Sequence, residues 1–295
     1  MPSEELHRTL LAYNHRRLRP ALPETRNPER FERELELQAQ HLRLEREFVE
    51  KQRECVRCQA ARAPRRGDEF VDWFQHLRET GAGQNDPLFS WLATEASSEE
   101  MRWFLAQEVA GEAGFEDLVA LTQLQFPTRV KLVLARNYWN EMGRGQEGGV
   151  NGPLLSHLAD SLDLPEVPIV TESIALGNLM MALGCNRRYA YQSIGALGVI
   201  ELTAPSRAAL VNAGLKRLDV QPDVRRYFAV QATLDAELAR VWSDEVLRPL
   251  VDEHPEVTSA IAEGALMRLN AGMRCYRRYR HVLWPDARGR ALAAE

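Results

Sequence analysis

DVRRYFAVQATLDAELARVWSDEVLRPL, from Asp223 to Leu250, is the stretch whose reading decides the fold class. In a helix, Tyr227, Gln231, Leu234, Asp235, Leu238 and Trp242 fall on one stripe, because they recur at spacings of three, four and seven. That stripe faces a core. Gln231 and Asp235 interrupt it with polar groups, and a buried polar group needs a hydrogen-bond partner, a counter-charge or a metal ion. The stretch therefore predicts helices on every side of it, at least some of them carrying polar residues inward.

The rest of the chain supplies them. The 295 residues are 45% hydrophobic and 27% charged, a soluble globular composition with ample material for a core. A net charge of −5 leaves no basic excess to neutralise phosphate, so neither nucleic acid nor an anionic membrane is expected as a partner. Nothing at the N-terminus resembles a cleavable leader, and no apolar stretch is read as long enough to cross a bilayer, so the expected location is cytoplasmic. Cys55 and Cys58 form a lone CxxC in a charged helical context. With no second pair and no preceding strand, they read as neighbours on a helix face rather than as a zinc or redox motif.

From the N-terminus, SEELHRTLLAYNHRRL predicts a short helix, and Pro20, Pro23 and Pro28 punctuate a link to a long amphipathic helix ending near Ala63. A further short helix covers Phe70 to Arg78. Asp86-Pro87 opens the body, giving a helical extension over 1–85 and a bundle over 86–295. Ser97 or Ser98, with Glu99 and Glu100, starts a helix running to Phe126-Pro127, with Phe104, Glu108, Glu112 and Phe115 on one face. TRVKLVLARNYWNEM ends in the Gly-rich GRGQEGGVNG, and Pro153 starts LLSHLADSL. More helices are predicted over 171–183, 187–203, 204–215 and 255–284, and no strand is found. The fold class is all-α.

Four of these helices place a carboxylate where an apolar stripe would otherwise continue: Glu108, Glu141, Glu201 and Asp235. Inward carboxylates on facing helices are how bundles hold dinuclear metal centres, since hard oxygen donors and imidazoles suit iron and manganese. Without metal, four such acids need arginine partners or protons. Arg136, Arg187 and Arg188 lie on or beside the relevant helices.

The pattern resembles the haem-oxygenase-like diiron oxidases, the iron-containing redox enzyme family. Phe104-Leu105-Ala106-Gln107-Glu108 looks like the family's first ligand helix, Asn137 to Gly145 like its N-x-x-D-E-x-G-x-G turn, and Gly198-Val199-Ile200-Glu201 like its G-x-x-E helix. Tyr227 to Leu238 occupies the place of its H-x-x-x-D-x-x-H helix. The resemblance covers roughly Pro87 to Trp284 and implies a haem-oxygenase-like bundle that binds no haem. It also implies metal ligation by Glu108, Glu141, Glu201 and Asp235.

Three of the family's histidines are missing, with Asn151, Gln231 and Leu238 in their positions. Amides bind iron poorly and leucine not at all, so iron or manganese is expected to be weakly held or absent. His157, Glu112 and Glu237 are the nearest substitutes. The expected function is a divergent oxidoreductase acting on a small amine, amino-acid or fatty-acid derivative through a degraded dinuclear site. The alternative is an inactive or metal-free homologue that binds a small molecule or serves as a partner subunit, its N-terminal arm mediating a homodimer or a hetero-complex.

Overall fold

The computed structural model describes residues 3–20, 28–112, 115–233 and 236–284. These form α1 (Ser3–Leu18), α2 (Pro28–Ala60), α3 (Gly67–Thr80), α4 (Pro87–Thr94), α5 (Ser98–Glu112), α6 (Phe115–Thr122), α7 (Thr128–Glu141), α8 (Asn151–Ser161), α9 (Thr171–Cys185), α10 (Ala190–Arg217), α11 (Arg226–Thr233), α12 (Ala236–Trp242), α13 (Arg248–Glu253) and α14 (Thr258–Leu283). No strand occurs among the described residues beyond one isolated bridge, Met142 to Val150. The all-α class is as expected.

Local chemistry sets the entries to the body. Asp86 caps α4 by accepting from the Leu88 amide at 3.0 Å, with Pro87 at the first turn, where its missing N–H costs nothing. Ser97 and Glu100 form a reciprocal capping box at α5: Glu100 accepts from the Ser97 amide at 2.8 Å, and the Ser97 hydroxyl accepts from the Glu100 amide at 3.3 Å.

At the centre α10 crosses α14 with backbones in contact. A Cβ added at Gly195 would lie 1.8 Å from the Ile261 carbonyl oxygen, and one at Gly264 would lie 1.8 Å from that of Gln192. Only glycine allows this approach. Around the pair, α4 and α11 pack on α10, while α2 and α9 pack on α14. The N-terminal helices share this core: Leu10, Phe48, Val49 and Val56 are buried with Ile194, Ile261 and Leu266. Cys55 and Cys58 are both exposed on α2 and unpaired.

Three expectations need correction. The sequence break at Ala204-Pro205 is not a helix boundary, for α10 runs through Pro205. Proline removes only the bond to the Glu201 carbonyl, and the buried residues Leu197, Ala208, Val211 and Leu215 hold the helix together across it. The stretch Asp223 to Leu250 is not one helix either: α11 and α12 are followed by a π-helical turn, Ser243–Leu247, before α13. Pro249 sits at the start of α13, where a wider turn relieves the clash its ring would make four residues back. Finally, one segment, Arg187–Arg217, is long and apolar enough to cross a bilayer. Within the fold it is the central helix, its apolar faces packed on α14, α11 and α4.

Candidate functional site

Between α5, α7, α8, α10, α11 and α14 lies a cavity in which a volume of about 130 Å³ is open to the centre of a water molecule. At about 10–15 Å³ per water on that measure, the space suits an organic molecule rather than a single ion. Glu108, Glu141 and Glu201 all line it, and so do Asn151 and Gln231. Five of the seven positions singled out in the sequence therefore converge. Asp235, and the side chains of Leu238, Glu112 and Glu237, lie outside the described residues.

Helical spacing brings them there. On α10, Leu197, Glu201, Ala204, Ala208 and Val211 recur every three or four residues and face the cavity together. One turn before Glu201, Gly198 has room for no side chain: a Cβ would lie 2.3 Å from Nε1 of Trp242, a residue only 2% exposed. The G-x-x-E pattern thus lets α12 press against α10 beside its acid. In the turn after Glu141, Gly143 (φ +61°) and Gly145 (φ +80°) are left-handed, and a Cβ at Gly143 would meet the Gly149 backbone at 2.5 Å. This tight fold-back returns the chain so that the Asn151 amide donates to Glu141. Gln107 anchors the other end of the site, accepting from the Val170 amide at 2.9 Å and so tying the entry of α9 to α5.

Each described carboxylate has a protein donor. Tyr279 donates its hydroxyl to Glu108 Oε1 at 3.1 Å, so the Ser173 hydroxyl, 2.8 Å from the Tyr279 oxygen, must donate in turn. Asn137 donates to Glu201 Oε1 at 2.9 Å. Burial pushes the Glu108 carboxyl above the ordinary carboxylate range, opposed by the Tyr279 hydrogen bond and by the charges of Arg268 and Arg207. It pushes Glu201 up as well, against the Asn137 hydrogen bond. The Tyr279 phenol is held well above its usual value by burial and by Glu108, and the Cys275 thiol rises to about 12 for the same two reasons.

The cations are not those expected. Arg136 is exposed, Arg187 donates to the Thr122 carbonyl at 2.9 Å, and Arg188 lies 4.0 Å from Glu50, all away from the cavity. Arg207 and Arg268 line it instead. Arg268 was legible only as a charge inside the apolar run ALMRL, a signal easily lost in an arginine-rich helix. No histidine lines the cavity; His157 is half-exposed, 3.7 Å from Asp223. Among the described residues no three His, Cys, Asp or Glu side chains are grouped as a metal site.

The sequence profile of the iron-containing redox enzymes matches residues 102–273. The chain belongs to the iron-containing redox enzyme family. That match spans every cavity-lining element from α5 to α14, leaving out only Phe89 and Tyr276 of the lining side chains. No curated protein matches the chain. Iron is the metal that the family's description implies.

Proposed function

We propose that the cavity is a small-molecule site built on a degraded dinuclear centre, so that this family member binds its ligand without a standard pair of irons. The observation that carries the reading is the make-up of the lining: carboxylates on three helices, amides at Asn151 and Gln231 where the resemblance places imidazoles, and two guanidinium groups among them. Iron pairs in bundles want mixed nitrogen and oxygen donors. Here the Asn151 amide is engaged by Glu141, and the other two acids accept from Asn137 and Tyr279. Arg207 and Arg268 repel any cation in the same volume, so the residues present do not fit two irons. A ligand of amine, amino-acid or fatty-acid type is in keeping with a cavity whose walls are Phe89, Phe104, Leu155, Val211 and Phe228.

A second reading, residual oxidase activity with manganese or a single iron held by oxygen, is favoured by the three acids facing one volume. Elemental analysis of protein purified without chelator separates the two. Clearly less than two equivalents of iron, with no oxygen consumption on adding ferrous iron, is expected. Two irons per chain with rapid oxygen uptake would overturn the proposal.

A further inference from the structure

We propose that Arg207 and Arg268 form an anion subsite in this cavity and that its ligand is a small organic carboxylate with an apolar body, a specification that rests on the small-molecule reading above. Arg268 is only 7% exposed, lines the cavity, and its Nε has no hydrogen-bond partner. Among the described residues neither guanidinium makes an ion pair or a hydrogen bond. A buried guanidinium with no partner among the described residues is costly, and a charge that arrives from outside would offset that cost.

The surroundings prepare both groups for that role. Arg207 lies over the rings of Phe89 and Tyr276, 5.9 and 5.8 Å from their centroids. Rings over the face of a guanidinium stabilise the cation and leave its in-plane N–H donors free for an acceptor. Beside Arg268, Gly272 leaves open the space that a Cβ would fill, 3.0 Å from Arg268 Nη1 and 3.2 Å from the Tyr276 hydroxyl oxygen. Two forked donors and a phenol thus border a cavity that also has the apolar walls Phe89, Phe104 and Phe228.

Charge balance selects the anion. Glu108 accepts its hydrogen bond from Tyr279, not from either guanidinium, so it does not occupy their donors. Glu141 and Glu201 share the volume, however, and a doubly charged phosphate would face them too. A single carboxylate meets the guanidinium fork with two parallel hydrogen bonds and the least repulsion. The Phe89, Phe104 and Phe228 walls take the apolar remainder.

The test titrates the full chain calorimetrically with aryl and alkyl monocarboxylates, the amide and amine counterpart of each, and inorganic phosphate. At least one carboxylate should bind ten-fold or more tightly than its amide and its amine, with phosphate weaker than that carboxylate. Arg268→Met and Arg207→Met should each lose that preference, while Arg268→Lys retains part of it. Arg268→Met should also raise the melting temperature of the ligand-free protein, because it removes an unpaired buried charge. A lower melting temperature in that variant would show that Arg268 is paired within the protein and would overturn the subsite. Amides or amines binding as well as carboxylates, or phosphate binding best, would sink the carboxylate inference while leaving the small-molecule reading standing. No binding by any probe would count against that reading itself.

Discussion

Tyr279→Phe isolates one oxygen atom on which the state of Glu108 depends. The ring is 1% exposed and meets Trp103 and Phe104 edge-on at 5.7 and 5.8 Å, so phenylalanine fills the same space and only the hydroxyl is lost. With it go the donor to Glu108 and the acceptor for Ser173. A hydrogen bond between neutral groups contributes about 0.5–1.5 kcal/mol and one to a charged group about 1.5–3 kcal/mol. The cost therefore depends on whether Glu108 is ionised. Its folded pKa is raised by burial, so the carboxyl is neutral in acid and ionises above the usual carboxylate range. The Tyr279 phenol stays protonated throughout, because its own pKa is raised well above normal. The loss should be about 1 kcal/mol at pH values below the folded pKa of Glu108 and grow by about 1 kcal/mol or more as pH rises through it. Linkage gives the same sign: deleting the donor raises that pKa further, and a raised carboxylate pKa lowers stability at high pH. Urea denaturation of both proteins at about pH 5 and about pH 9 measures it, with unchanged slopes as the control. Equal losses at the two pH values, or none at either, would show that Tyr279 does not hold a titrating Glu108.

Glu201→Gln should leave stability unchanged near pH 4 and raise it increasingly above that, because the wild-type carboxyl loses stability as pH climbs from its unfolded pKa of about 4.3 through its raised folded value. Thermal melts across the pH range check this, and a wild-type advantage at alkaline pH would refute it. Gly198→Ala should destabilise by up to about 2 kcal/mol, since overpacking against buried Trp242 costs about 1–3 kcal/mol, at a 2.3 Å approach in the upper part of that range, against a gain in helix propensity of about 1 kcal/mol. A stabilised Gly198→Ala protein would mean that α12 does not press on α10. Asn151→His combined with Gln231→His returns two imidazoles to the cavity but leaves both arginines, so elemental analysis should still find fewer than two irons per chain. Stoichiometric loading would show that the arginines do not exclude cations.

Much of the fold could be read because its punctuation is chemical and local. Asp86-Pro87 and the Ser97–Glu100 box cap helices whatever surrounds them. Pro205 misled for the complementary reason. Its local effect is to break a helix, but the burial of Leu202, Ala208 and Val211 on either side is a tertiary fact that no window around the proline contains. The π turn at Ser243–Leu247 is invisible to a fixed helical period, which assigns Trp242 and Leu250 to one rod.

The site shows the same division between what a stripe encodes and what only packing reveals. An acid on an apolar stripe announces itself, and Glu108, Glu141 and Glu201 do meet in one cavity. Sequence proximity points to Arg136, Arg187 and Arg188 as their partners, but neighbours along a helix point in different directions, and Arg187 is consumed by the carbonyls that end α6. The guanidiniums that do arrive come from further along α10 and from α14, helices brought together by the Gly195 and Gly264 contact. Two irons would carry four or more positive charges into this volume, whereas two arginines carry two. Acids once balanced by metal can be neutralised by protonation instead, and Glu108 and Glu201, both pushed upward by burial, are the residues in a position to be so. On the proposed reading, retained acids beside lost imidazoles are not a contradiction: a carboxyl can be neutralised by a proton and held by Tyr279 or Asn137, whereas a ligand histidine left in place would add a titrating cation beside the two guanidiniums.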